Sequence, residues 1–442
     1  MKSSTELNEV SVARVVRRVV ADRIALCCFL WILLFSCVVR IIFIGHAEWV
    51  PIADTRDYHV LAWNLSHGNG YKELSEVARP AYQGLTFYAY RMPGYPAMLA
   101  AVYTLFGWVP RHAMYLNLLA ELWTSCCVFL VAFCLFGRKV ALFSQALWSF
   151  QVLWVTALMS ETVFTTLLIT LAAILVMEQP LRSKGWALVY GMVGAASVFI
   201  RPVGVVVLVF PLLLRARQVR CRTGMICLLA LLLPSAIGIG LWIQRNYRVL
   251  HQFVPLTTQF GPLDAPDFGI DFESFYLTLR TQGRNEAEIN KALTQAILQR
   301  ALADPLGAAR LYVIRIRDLF GLPSLSYVEQ GLIWPQRFSG SQVPTWVYAV
   351  YRRMYYQYPL VYGLALAGLI LLAAQRKLWN GLTLAFVVYV MFHAVVSRGT
   401  IRYAAPLYPM LCVFAGVSLA AGWTRFVSLG RTMRMRQIQR AR

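Results

Sequence analysis

Apolar residues fall in long blocks along this chain, separated by short connections rich in Lys and Arg. Crossing about 30 Å of hydrocarbon takes roughly 17 to 25 helical residues. On that measure the pattern predicts spans at 24–44, 113–136, 140–158, 162–178, 186–200, 203–214, 224–243, 357–374, 378–397 and 404–423. The pair within 186–214 differs from the rest, because each half falls short of a full crossing at about 1.5 Å rise per residue.

Charge fixes how that pair is read. The short connections at Arg138-Lys139, Arg182 to Lys184, Arg215 to Arg222 and Arg376-Lys377 are basic, as are both termini. Short basic loops stay in the cytoplasm. One span over 186–214 would carry Arg215, Arg217, Arg220 and Arg222 outside, whereas a hairpin turning at Arg201-Pro202 keeps them inside. The expectation is an all-α polytopic protein of the inner (plasma) membrane with ten spans and both termini cytoplasmic. Two long loops, 45–112 and 244–356, then lie outside, and 424–442 forms a basic cytoplasmic tail. The stretch Arg14, Arg17, Arg18, Arg23 precedes a long apolar run with no convincing small-residue cleavage site, which fits an uncleaved first span.

Composition agrees. Apolar residues make up 59% and charged residues 14% of the chain, against about 25% charged in average globular domains. The net charge of +22 is spread over loop ends and the tail, so it points to anionic lipid headgroups and not to nucleic acid. All nine cysteines fall in spans or on the cytoplasmic side, which leaves the outer loops without disulfides. No His or Cys spacing marks a transition-metal site. The absence of an internal repeat weighs against a secondary transporter. The second outer loop reads as extended from Phe253 to Pro266 and helical from Asn285 to Ala303. From Leu306 to Phe320 it reads as amphipathic, with Arg310, Arg315 and Arg317 beside Leu311, Ile314, Ile316 and Leu319 suited to the bilayer surface.

Candidate chemistry gathers in the first outer loop, where Asp54-Thr-Arg-Asp57-Tyr58 and Tyr90-Arg91-Met92-Pro93-Gly94-Tyr95-Pro96 place acids, a cation and a stiff aromatic turn at the membrane surface. Arg201, Arg398 and Arg402 stand in short outer connections that usually lack cations, and Arg245 directly follows the seventh span. Their forked guanidinium suits phosphate oxygens, with headgroup anchoring as the plainer role. Glu161 sits at the outer mouth between two spans. Glu121 lies inside a span, where a charge needs a partner; an arginine from the outer loop is expected. Trp49, Tyr58, Tyr88, Tyr90, Tyr95, Trp346, Tyr348, Tyr351, Tyr355 and Tyr356 read as an interfacial aromatic belt. Asn64-Leu65-Ser66 has glycosylation spacing and carries little weight.

Several of these elements occur in a familiar order. Asp54 with Tyr58, Ala62 and Leu65 is followed by Gly68-Asn-Gly70-Tyr71, Arg91 to Pro96 and Leu105-Phe106-Gly107. Further along come Ser160-Glu161, Arg201-Pro202, Trp242-Ile-Gln-Arg245-Asn246-Tyr247 with Phe253-Val-Pro255, and Arg402-Tyr403-Ala-Ala-Pro406. The set resembles the GT-C membrane glycosyltransferases of the protein O-mannosyltransferase and lipid A aminoarabinose transferase types. The resemblance implies a single GT-C membrane domain over 1–442, with juxtamembrane helices in the first outer loop. It also implies transfer of a hexosyl or pentosyl group from a polyprenyl-phosphate carrier to an envelope acceptor on the outer face: a glycolipid, polysaccharide or protein. By the same resemblance Asp54 is the general base, Asp57 and Glu161 are supporting acids, and Arg91, Arg245, Arg402, Arg201 and Arg398 bind the donor phosphate. Where the relatives carry a Lys-Pro-Pro type element, this chain has Arg-Met-Pro-Gly. No cofactor is implied with certainty. A magnesium or manganese ion would draw on Asp54, Asp57 and Glu161, but hard cations need several oxygen ligands, and metal-independent action is expected. A flippase or exporter of lipid-linked sugars, or a surface-polysaccharide polymerase or ligase, is the alternative class.

Overall fold

The computed structural model describes residues 11–46, 53–74, 86–152, 155–156, 158–178, 180–259, 265–320, 357–378, 380–396 and 401–441. The described chain begins with an amphipathic helix, α1 (Val12–Ala21), which buries Val15 and Val19 and leaves Arg14, Arg17 and Arg18 outward. Then come α2 (Arg23–His46), α3 (Ala53–Ser66), a two-residue antiparallel ladder of β1 (Glu73–Leu74) with β2 (Thr86–Phe87), and α4 (Gly94–Phe106). Four helices follow: α5 (Pro110–Phe136), α6 (Arg138–Ser149), α7 (Ser160–Met177) and α8 (Lys184–Ile200). A 3-10 segment, Pro202–Val209, leads into α9 (Phe210–Arg215), and then α10 (Arg222–Leu250) follows. The second outer loop carries α11 (Phe272–Thr281), α12 (Glu286–Ala303) and α13 (Pro305–Leu319). Near the end stand α14 (Gln357–Ala374), α15 (Gly381–Val396), α16 (Ile401–Ala404) and α17 (Tyr408–Ala441).

Six of these helical stretches are long and apolar enough to cross a membrane: Arg23–His46, Pro110–Phe136, Ser160–Met177, Arg222–Leu250, Gln357–Ala374 and Ala405–Leu429. Gly94–Phe106, Lys184–Ile200, Pro202–Leu214 and Gly381–Val395 are shorter apolar helices. One of these, α4, lies inside what the hydropathy pattern assigns to an aqueous loop. α10 runs seven residues beyond the expected end of its span, into the outer loop, and α17 continues as one helix through the described part of the basic tail.

The expected span at 140–158 is cut short, because α6 ends at Ser149. Arg40 of α2, fully buried, caps that end and donates to the carbonyls of Trp148, Ser149 and Gln151 at 3.3, 3.2 and 2.5 Å. The Ser149 carbonyl is one that a helix end leaves without an intrahelical partner, the Gln151 carbonyl lies just past that end, and the Trp148 carbonyl also accepts from the Gln151 amide at 2.9 Å. The same guanidinium donates to Glu121 of α5 and to Ser36 Oγ. The partner of Glu121 is thus an arginine of the first span, not of the outer loop. A charge at that depth must be paired locally, and α2 lies beside α5.

The turn at Arg201-Pro202 is present. Arg201 is extended (φ −147°, ψ 135°), and Pro202 opens the 3-10 segment. The two arms pack so closely that a Cβ on Gly204 would stand 2.5 Å from the Ser197 carbonyl group, and Tyr190 Oη donates to the Val207 carbonyl at 2.7 Å.

Two sequence expectations are altered by side-chain orientation. In α13 Arg315 is 2% exposed and pairs with Asp267 at 2.9 Å, while Ile314 points outward at 42%. The helix packs this arginine inward, against α15 and the 3-10 turn Ala265–Phe268, while Leu306, Arg310, Ile314 and Arg317 stay exposed. Tyr58, Tyr90 and Tyr95 are buried in the protein and form no belt; Trp49, Trp346, Tyr348, Tyr351, Tyr355 and Tyr356 lie outside the described residues. Asn64 is also buried, donating to the Lys72 carbonyl at 2.7 Å, which removes it as a glycosylation acceptor.

Candidate active site

α3 builds the site. Asp54, Asp57, Tyr58, Leu61 and Ala62 recur at three- and four-residue intervals, so one face of the helix carries all of them inward. Asp54 stands in the first turn, where the helix dipole favours a carboxylate. Two carboxylates one turn apart would repel each other. Arg91 lies between them, its Nη2 2.5 Å from Asp54 Oδ1 and 2.6 Å from Asp57 Oδ2, with Nε a further 3.2 Å from Asp57. All three groups are buried. Burial alone would work against the guanidinium's charge, but the carboxylates of Asp54 and Asp57 outweigh it and hold Arg91 above its ordinary pKa.

Arg91 is itself sandwiched by rings, its guanidinium carbon 5.4 Å from the Tyr58 centroid and 5.1 Å from that of Tyr90. Pro93 and Gly94 open α4 directly behind it. A Cβ on Gly94 would meet the Phe199 carbonyl at 2.6 Å, so the turn seats flat on the end of α8. Tyr71 Oη donates to the Arg91 carbonyl at 2.9 Å.

A second ion pair faces the first. Glu161, fully buried in the first turn of α7, lies 2.7 Å from Arg201 Nη1. Arg201 rests over Tyr403 at 5.2 Å and Phe164 at 5.9 Å. Tyr58 links the two pairs, its ring beneath Arg91 and its hydroxyl 3.0 Å from Ser160 Oγ, next to Glu161. Burial raises the Tyr58 hydroxyl above its usual pKa, against the opposing pull of the Arg91 guanidinium and with Glu161 and Asp54 adding to the rise, so it stays protonated and able to donate.

Asp54, Asp57, Arg91, Glu161 and Arg201 therefore share one cluster drawn from α3, the turn before α4, α7 and the α8 hairpin. Arg245 stands beside the cluster, not in it. Its Nη1 and Nη2 donate to the carbonyls of Tyr88 and Tyr71, each at 2.5 Å, and its plane rests over Tyr71 and Trp242. Arg402 belongs to α16, whose Tyr403 underlies Arg201. Arg398 lies outside the described residues.

Sequence reasoning missed Glu286, the first residue of α12. Its carboxylate is buried and accepts from the Tyr88 and Ala89 amides at 2.6 and 2.9 Å and from Thr258 Oγ1 at 2.8 Å. The signal available was the capping pattern Asn285 to Glu288, which locates the helix start but not the direction of the acid within it.

A divalent cation does not fit this donor set. The place between Asp54 and Asp57 that a cation would take is held by the Arg91 guanidinium, and Glu161 is paired with Arg201. Among the described residues no group of three His, Cys, Asp or Glu side chains could hold a metal.

No protein-family model matches the sequence, and no curated protein matches it. Solved structures do. The apo oligosaccharyltransferase of Archaeoglobus fulgidus aligns over 93% of this chain and 52% of its own, at TM-score 0.54 and 13% identity. The same organism's AglB in complex with an inhibitory peptide and a dolichol-phosphate aligns over 93% and 52%, at TM-score 0.51 and 11% identity. ArnT from Cupriavidus metallidurans bound to undecaprenyl phosphate aligns over 88% and 78%, at TM-score 0.37 and 13% identity. The chain spans about half the length of the archaeal proteins it matches. Over nearly all of its own length, this chain shares the fold of about half of the archaeal oligosaccharyltransferase chain.

Proposed function

We propose that the protein is an integral-membrane glycosyltransferase that moves a sugar from a polyprenyl-phosphate carrier to an envelope acceptor. The reaction takes place at the outer face of the inner membrane, with both termini in the cytoplasm. The observation that carries this reading is Asp54, held by Arg91 at the start of a juxtamembrane helix, beside a second acid–arginine pair, on a GT-C fold. The carrier's tail stays in lipid and its sugar does not, so acid and base must meet at the interface.

In this reading Asp54 takes the proton from the acceptor hydroxyl as it attacks the anomeric carbon, a contribution worth typically 10²–10⁴-fold. Displacement is direct, with inversion and no covalent enzyme intermediate. Arg91 holds Asp54 in register and Asp57 completes that bridge. Arg201 meets the charge that grows on the departing phosphate, with Arg398 and Arg402 contributed by the adjoining segment. Arg245 serves through the backbone of the first outer loop. No step is assigned to a metal ion.

The test is Asp54→Asn, which keeps shape and removes basicity. Mass spectrometry of envelope glycolipids and glycoproteins from cells carrying no protein, wild type or the variant identifies the product. A roughly 10²–10⁴-fold fall in that product is expected. Wild-type product from correctly inserted variant removes Asp54 from the base role.

A further inference from the structure

Every backbone polar group of Tyr88 and Ala89 is held by a residue from α10 or the second outer loop. The two amides donate to Glu286 Oε1, the Tyr88 carbonyl accepts from Arg245, and the Ala89 carbonyl accepts from the Thr258 amide at 3.0 Å. Thr258 closes the ring by donating its hydroxyl to Glu286 Oε2. The segment so gripped ends two residues before Arg91, whose own carbonyl is tied by Tyr71, and the Tyr71 carbonyl is tied by Arg245.

We infer that Glu286 is a positioning residue: with Thr258 and Arg245 it forms a clamp through which the second outer loop sets the place of Arg91, and hence of Asp54. Its bearing on transfer rests on the function proposed above. A bridge between two carboxylates tolerates little displacement, since a shift of about 1 Å in a positioned group costs roughly 10²-fold. The grip does not require a charge on Glu286. With its carboxyl protonated, or replaced by an amide, one oxygen still accepts both amides while the other group donates to Thr258 Oγ1. Burial does raise the Glu286 carboxyl above its ordinary pKa, with the hydrogen bonds from Tyr88, Thr258 and Ala89 pulling the other way.

The experiment compares Glu286→Ala and Glu286→Gln in the full-length, membrane-inserted protein with two measurements. The first is amide hydrogen exchange of the peptide containing Tyr88 and Ala89, with no substrate present. Exchange at least about tenfold faster in the Ala variant, restored by Gln, is expected, because the alanine leaves two amides without their acceptor. The second is transfer of the product identified in the Asp54 test. There kcat should fall roughly 10²-fold in the Ala variant with KM nearly unchanged, and recover in Gln. Wild-type exchange in Glu286→Ala overturns the clamp. Faster exchange with undiminished kcat, or a Gln variant as impaired as Ala, overturns the positioning role. Should the Ala variant fail to insert, Glu286→Asp takes its place, its carboxylate being one methylene short of both amides; wild-type exchange there overturns the clamp as well. Exchange needs no substrate, so it decides the clamp even if Asp54→Asn retains transfer.

Discussion

Asp54 and Arg91, 37 residues apart in sequence, meet with 2.5 Å between Oδ1 and Nη2, and the same Nη2 reaches Asp57 at 2.6 Å. One guanidinium nitrogen thus serves two carboxylates of a single helical turn. Arginine also sets Nε 3.2 Å from Asp57, which fixes the plane of the guanidinium, whereas a lysine ammonium is a point charge with no second donor nitrogen. Arg91→Lys should therefore insert and fold yet lose about 10²-fold in transfer. Arg91→Met, which leaves two buried carboxylates facing each other, should also lose about 3–5 kcal/mol of stability. Thermal unfolding in detergent beside a transfer assay separates the two effects.

Arg40 and Glu121 form the deepest charge pair of the described chain, both buried, with Arg40 also capping the end of α6. Arg40→Leu leaves Glu121 without its cation and removes the guanidinium from the Ser149 and Gln151 carbonyls, and should cost about 3–5 kcal/mol. Adding Glu121→Leu removes the orphaned charge and should recover part of that loss, but not the part due to the uncapped helix. Chemical unfolding of both variants gives the difference; full recovery in the double variant would show that the cap contributes nothing.

The α8 hairpin offers a packing test away from the chemistry. Gly204→Ala puts a methyl 2.5 Å from the Ser197 backbone, so the arms must separate. A loss of about 1–3 kcal/mol is expected. Because Arg201 turns the hairpin, transfer should fall further than stability alone explains. Unchanged melting would show that the arms give way easily.

His59 of α3 lies against Trp108, and its Nδ1 is 3.2 Å from Tyr103 Oη. Burial lowers its pKa from 6.5 to about 4. The folded protein therefore binds fewer protons here than the unfolded chain between those values, and stability falls as pH drops from 6.5 toward 4. His59→Gln should flatten that slope while leaving stability near pH 8 little changed. Melting temperature measured from pH 4 to 8 checks it, and identical slopes in the two proteins would reject the assignment.

The order of the apolar blocks, the basic connections and the turn residues was enough to indicate a helical membrane protein, the hairpin at Arg201-Pro202 and the helix beginning at Asn285. These are local properties: hydrocarbon thickness, proline's missing donor and side-chain capping act on neighbours in sequence. The loop acid Asp54 and the arginine Arg91 were legible as residue types in an order resembling a known fold. What tertiary structure alone decided is which charges meet. Arg40 and not a loop arginine pairs with Glu121, Arg315 turns inward, Arg245 spends its donors on backbone carbonyls, and Glu286 reaches the strand leading to Arg91 across 197 residues. In a low-dielectric interior each buried charge must find an opposite charge or a hydrogen bond. That partner is chosen by distance in space, which no spacing along the chain records.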